Sequence, residues 1–235
     1  MINKLRFENL TFGYEGRPEI FQNVNFDFPM SQTVWVRAAS GAGRSSLLQI
    51  MAALQMPTTG KYFINDQDIT ELSFEEFLPM RLSIGYGFDY GGLINNRTIY
   101  ENIILPLHYH KMITPKEARE RVEYYLTCLN MTRYQDMRPY LVPGGVRKLA
   151  CMVRAMVVHP ELLLLDDPSV GLDQETALRF FDLIREIQKT ENKIQHLYIS
   201  SFDEKLMRVL GSTEIEIHEG SIFSSEFEGK KAASL

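Results

Sequence analysis

The stretch Trp35-Val36-Arg37-Ala38-Ala39-Ser40-Gly41-Ala42-Gly43-Arg44-Ser45-Ser46-Leu47-Leu48 constrains this chain more than any other. It reads as an apolar strand end, a loop of small residues and the start of a helix. That order is the one a phosphate-binding loop of the G-x-x-x-x-G-K-[ST] pattern requires. Backbone N–H groups of such a loop point inward, and the following helix turns its positive dipole end to the phosphates. Gly41 and Gly43 permit close backbone approach, and Ser45 supplies a hydroxyl for Mg²⁺. The chain leaves the pattern twice, with Ala38 in place of the first glycine and Arg44 in place of the lysine. Alanine is a mild change where φ is negative. Arginine keeps the charge but replaces a compact ammonium with a wide planar fork.

A second anchor lies far downstream, at Glu161-Leu162-Leu163-Leu164-Leu165-Asp166-Asp167-Pro168. Four leucines without polar alternation describe a central parallel strand buried on both faces. A phosphate loop followed by such a strand with carboxylates at its end is the Walker A and Walker B pair. Asp166 is then expected to hold Mg²⁺ opposite Ser45, and Asp167 to act on the attacking water.

The remaining pattern predicts an α/β fold. Residues 4–13 and 20–28 alternate as strands around a turn at 13–18, with Val24, Phe26 and Phe28 on one face. A strand at 33–36 leads into the loop, whose helix is expected to run to about residue 54. Further strands are expected at 61–64 and 82–88, with a short helix from about residue 73 between them. Thr114-Pro115-Lys116-Glu117 is a capping box, and Ala118, Val122, Tyr125 and Leu129 then form an apolar stripe. Gly144-Gly145 opens a helix that buries Leu149, Met152, Val153 and Met156. A helix at 174–189, directing Ala177, Phe180, Ile184 and Ile187 inward, precedes strands at 196–200, 214–218 and 221–224. The whole predicts a single P-loop domain over 1–235. It combines a mainly parallel core sheet, an N-terminal antiparallel β lobe, and a helical subdomain at about 90–158.

Composition narrows the function classes. The net charge of −5 argues against non-specific nucleic-acid binding. No window approaches 18 apolar residues, and the N-terminus lacks the apolar core of a signal peptide, so a membrane role is expected through partners. Cys128 and Cys151 fall in predicted helices, away from metal-ligand spacing, and read as buried small hydrophobes in a reducing compartment.

Over essentially its whole length, this order of motifs resembles the nucleotide-binding subunit of an ABC transporter. Tyr14 in Phe12-Gly13-Tyr14 matches the family's adenine-stacking aromatic, and Ser40 to Ser46 its phosphate loop. Val142-Pro143-Gly144-Gly145-Val146 stands where the family signature Leu-Ser-Gly-Gly-Gln belongs. Ser169-Val170-Gly171-Leu172-Asp173 matches the loop after Walker B. The resemblance implies ATP and Mg²⁺ as ligands, with Ser45, Asp89 and Asp166 at the metal. It also implies transmembrane permease partners, a dimer with itself or another ABC subunit, and a cytoplasmic place on the inner face of the membrane. Leu93, Ile94 and Ile99 fall where a permease helix would dock. Phe88 to Ile94, Thr98 to Ile103 and Leu105-Pro106-Leu107 further resemble the subgroup that energises MCE/Mla-type lipid transport.

Five departures fall on catalytic positions of that family. Arg44 replaces the lysine, Asp89 the Q-loop glutamine, Pro143 the signature serine, Asp167 the catalytic glutamate and Ser201 the switch histidine. Proline loses a hydroxyl and an N–H donor, and Asp167 is one methylene short of the water. Losing one donor aimed at developing charge costs roughly 10²–10³ in rate. The resemblance therefore implies ATP binding with hydrolysis weakened or lost. Two alternatives stay open: a slow working ATPase, and a non-catalytic pseudo-ATPase that scaffolds an intact subunit.

Overall fold

A computed structural model describes residues 1–89, 92–111, 113–210 and 213–226. Tyr90 and Gly91, within the segment resembling the lipid-transport subgroup, lie outside the described residues. In chain order the elements begin with β1 (Leu5–Gly13), β2 (Glu19–Asp27), β3 (Thr33–Ala38), α1 (Arg44–Met51), β4 (Thr59–Ile64) and β5 (Gln67–Asp68). They continue with α2 (Phe74–Arg81), β6 (Ile84–Gly87), α3 (Ile99–His110), α4 (Pro115–Cys128) and α5 (Gly144–Met156). The last are β7 (Leu162–Asp166), α6 (Gln174–Glu191), β8 (His196–Ser200), α7 (Glu204–Leu210), β9 (Thr213–His218) and β10 (Ser221–Glu226). The chain divides into two compact units, residues 1–81 with 196–235, and residues 82–195.

The first unit holds two β systems. β1 pairs antiparallel with both β2 and β4, and β5 extends β4, which is the N-terminal lobe that the alternating pattern predicts. In the other system β3 is flanked by parallel β8 and β9, with β10 antiparallel on β9. Trp35 is level with Ile199 on one side and Glu214 on the other. Val34, Trp35 and Val36 are buried in succession, as in a parallel strand covered on both faces, whereas Arg37 near the strand's end is exposed. This strand leads into the glycine loop and α1.

In the second unit β6 pairs parallel with β7, Ile84 beside Leu162 through Gly87 beside Leu165. The four leucines are fully buried, as the unbroken apolar run requires. Both α3 and α4 start with complete capping boxes, Thr98 with Glu101 and Thr114 with Glu117. Asn102, fully buried in α3, accepts from the Ile94 amide (2.7 Å) and donates to the Ile94 (3.1 Å) and Thr98 (2.9 Å) carbonyls. One side chain thereby shapes the loop ahead of the helix.

The structure shifts several local expectations. α1 stops at Met51, short of residue 54, and Phe28 is buried although β2 has already ended. Ile99, expected in a docking groove, is completely buried as the first residue of α3, whereas Ile94 is exposed. Ile99 follows the Thr98 cap directly, and the packing of α3 on α4 and α5 covers it. Cys151 is buried, but Cys128, the last residue of α4, is only half-buried.

Candidate functional site

The glycine loop is shaped by its main chain. Ala38 closes β3 in extended conformation, where the missing glycine costs nothing sterically. Ala42 N–H donates to the Ala39 carbonyl at 3.1 Å, turning the chain, and Gly41 and Gly43 take φ of 78° and 104°. Gly43 is doubly constrained. Its φ disfavours any side chain, and a Cβ there would overlap Ile20 and stand 3.2 Å from the Phe21 ring. It is also the N-cap of α1, with no side-chain cap and no acidic residue in the first turn. The amides at this helix start, and their positive dipole end, therefore suit an anion from outside.

These residues line a cleft of about 580 Å³ with Tyr14, Arg17, Glu19, Ile20 and Gly220. The Tyr14 hydroxyl lies 3.2 Å from Ser46 Oγ and donates to Gln49 Oε1 at 3.4 Å, while Phe12 packs edge-on to its ring. Tyr14 is thereby fixed over the start of α1 with its ring partly exposed. Ser45 is exposed and Ser46 buried, so the two hydroxyls face different surroundings. Arg44 is buried, its guanidinium carbon 3.4 Å from the centre of the Phe202 ring.

Ser201, the switch-position candidate, is not presented as a reactive side chain. It is buried, its Oγ accepts the Asp203 amide at 3.0 Å, and its carbonyl accepts Trp35 Nε1 at 2.9 Å. Asp203 in turn accepts the Leu206 amide at the start of α7. The hydroxyl at 201 builds a turn.

In the second unit, Asp166 ends β7 buried, with the Tyr86 hydroxyl 3.4 Å from Oδ2. Asp167 follows at φ 42°, a left-handed conformation that aspartate tolerates at some cost. The structure brings Asp89 to Asp166 through a residue the sequence reading missed. Lys148 of α5 is buried and donates to Asp89 O (2.9 Å), Asp89 Oδ1 (2.9 Å) and the Asp166 carbonyl (3.1 Å), which uses all three of its protons. The signal was present in the sequence, since 148 lies four residues before Met152 and shares its apolar face. A lysine on such a face needs anionic and carbonyl partners.

Pro143 caps α5 without a side-chain hydrogen bond, and its exposed ring leaves Gly144 and Gly145 to open the helix. Gly145 packs tightly on the loop after β7, because a Cβ there would lie 3.0 Å from the Gly171 carbonyl. Asp89 and Gly144 border a second cleft, of about 690 Å³, together with Leu93, Arg147, Val170 and Gly171. Among the described residues no group of three or more His, Cys, Asp or Glu side chains is arranged to hold a metal, and no helix is long and apolar enough to cross a membrane.

The strand–glycine loop–helix unit and the buried strand ending in Asp166 define a P-loop nucleotide-binding fold of the ABC type. The sequence model of the family described as "ABC transporter" matches residues 21–170. This chain belongs to the ABC transporter family. It is 34% identical over 168 residues to a methionine import ATP-binding protein of Mannheimia succiniciproducens, covering 72% of this chain and 48% of that protein. A methionine import ATP-binding protein of Bacillus cereus is 32% identical over 212 residues, covering 90% and 60%. The chain thus spans about half the length of the curated relatives it matches. Among solved structures, a dimeric bacterial ABC transporter cassette superposes with TM-score 0.83 at 26% identity, over 96% of this chain and all of that one. The same cassette in a post-hydrolysis dimer with ADP and phosphate gives 0.84 at 24%.

Proposed function

We propose that this chain is the nucleotide-binding subunit of an ABC transporter, binding Mg-ATP at the glycine loop while hydrolysing it poorly. The observation that carries the reading is the loop itself. Positive φ at Gly41 and Gly43, together with an uncapped helix start, presents amides where phosphate oxygens would sit, and Arg44 adds a fixed positive charge. Tyr14 would stack on the base, with Ser40 to Ser46 around the phosphates. Ser45, Asp89 and Asp166 would face Mg²⁺.

Weak turnover follows from what the other candidates do. Asp89 is engaged by Lys148, Ser201 is engaged in a turn, and Pro143 has no hydroxyl to offer. Transmembrane permease subunits, dimerisation with itself or another ABC subunit, and a peripheral place on the inner membrane face belong to this proposal. A single functional domain over 1–235 with an inserted helical part belongs to it as well. For the cargo, the relatives' names favour methionine import. Residues 88–107 favour the MCE/Mla-type lipid subgroup.

Titration calorimetry with Mg-ATP, beside phosphate release, tests the core of the reading. Saturable binding is expected, with turnover far below that of the variant carrying Arg44→Lys, Asp89→Gln, Pro143→Ser, Asp167→Glu and Ser201→His together. Absence of binding at millimolar Mg-ATP would leave the pseudo-ATPase scaffold as the better reading. Parent turnover equal to the restored variant's would favour the working ATPase. Co-purification with permease subunits, followed by transport of methionine or phospholipid in proteoliposomes, separates the cargoes.

A further inference from the structure

Arg44 and Phe202 form a contact that no motif anticipates. The guanidinium carbon is 3.4 Å from the ring centre, a face-on stacking distance, with Arg44 buried and Phe202 57% exposed. Both ends of the pair are anchored to the same strand. β3 leads through the glycine loop into Arg44, and the Trp35 indole of β3 donates to the Ser201 carbonyl next to Phe202. Ser201 Oγ and Asp203 then lock the turn that projects the ring. A large apolar side chain left this exposed gains little from burial, so its orientation is set by the turn and by the cation it covers.

We infer that Phe202 is a positioning residue for Arg44, and that the side chain of the β8–α7 loop acting on the nucleotide site is Phe202 in place of Ser201. The chemistry suits the arginine. Stacking engages the face of a guanidinium while hydrogen bonds run in its plane, so the ring fixes the plane in which the fork meets phosphate oxygens. A lysine would need no such plane, being a point charge. The stack therefore adapts the loop to its substituted cation, with the terminal phosphate as the group it selects. The inference rests on nucleotide binding at the glycine loop.

The test is calorimetric binding of Mg-ATP and Mg-ADP to the full chain and to Phe202→Leu, Phe202→Trp, Arg44→Lys and the Arg44→Lys/Phe202→Leu double variant. Phe202→Leu keeps apolar bulk but removes the π-face. It is expected to raise the Kd for Mg-ATP about three- to tenfold, by the strength of a half-buried cation–π contact, with Mg-ADP affected less. Phe202→Trp is expected to restore the parent affinity. With Arg44 already replaced by lysine, the leucine substitution should add less than a twofold change. Full-strength Mg-ATP binding by Phe202→Leu, or equal losses for ATP and ADP, overturns the positioning role while nucleotide binding stands. No binding by the parent chain overturns both readings. Matching melting temperatures of parent and Phe202→Leu exclude a folding defect as the cause of a lost affinity.

Discussion

Between residues 38 and 46, shape is made by main-chain geometry: an extended Ala38, left-handed glycines, and a helix start without a cap. Around the end of β7, shape is made by side chains, with Lys148 joining Asp89 to Asp166 and Tyr86 reaching the Asp166 carboxylate. The two regions respond differently to substitution. A loop whose shape comes from its main chain keeps its form when a side chain such as that of Arg44 is exchanged. A site assembled from side-chain atoms changes its chemistry whenever one atom moves, as the three hydrogen bonds of the single Lys148 ammonium illustrate.

The largest effect is expected from the loop's one irreplaceable atom position. Gly43→Val should abolish saturable Mg-ATP binding, because a side chain there overlaps Ile20 at a φ of 104°. Binding within threefold of the parent would remove the main-chain half of the comparison. On the other side, Lys148→Met leaves the Asp89 carboxylate and the Asp166 carbonyl without their cation. It should lower unfolding stability by about 3 kcal/mol in urea, since removing one member of a buried pair strands the other. A loss under about 0.5 kcal/mol would mean that water replaces the ammonium at little cost.

A third measurement asks whether the second unit depends on side-chain ionisation elsewhere. His159 is buried between the Tyr125 hydroxyl and Glu191 (Nδ1 to carboxylate 2.7 Å). Burial, helped by the nearby positive charges of Arg121 and Lys193, lowers its pKa to about 4. Glu191 is half-exposed and solvent-screened, so burial prevails. A histidine depressed below its unfolded value near 6.5 is neutral in the fold. Its contribution is intact above pH 6.5 and is lost as pH falls from there towards 4, by on the order of 2 kcal/mol. His159→Gln should flatten stability between pH 6.5 and 4.5, and an unchanged slope would assign the acid sensitivity to other groups. The smallest effect is a cap. Asp173 accepts the Thr176 amide at 2.8 Å at the start of α6, and that bond lowers its pKa. Asp173→Ala should lower the melting temperature slightly, through loss of the cap, and leave Mg-ATP affinity unchanged.

Much of the fold was legible because its signals are local. The hairpin at 5–27, the capping box at Thr114 and the leucine run of β7 follow from periodicity and propensity, which act within a few residues. α7 is only seven residues long, too short for a periodic signal, and α3 carries Pro106 in its interior, which argues against a helix there. Ile99 was misplaced since an apolar residue just after a cap faces the core or the surface according to what packs on the helix. Cys128 is half-buried for a similar reason, standing at a helix end where cover depends on neighbours.

The amino-acid sequence by itself determined the strand–loop–helix order, the glycines at 41 and 43 and the carboxylates at the end of β7. Each of these is dictated by backbone sterics or by a contiguous apolar run. Only the tertiary structure decided that Lys148 spans 59 residues to reach Asp89, that Ser201 serves a turn, and that Phe202 covers Arg44. Those contacts join residues distant in the chain, and a one-dimensional pattern holds no record of which side chains the packing of strands and helices will bring within 3 to 4 Å.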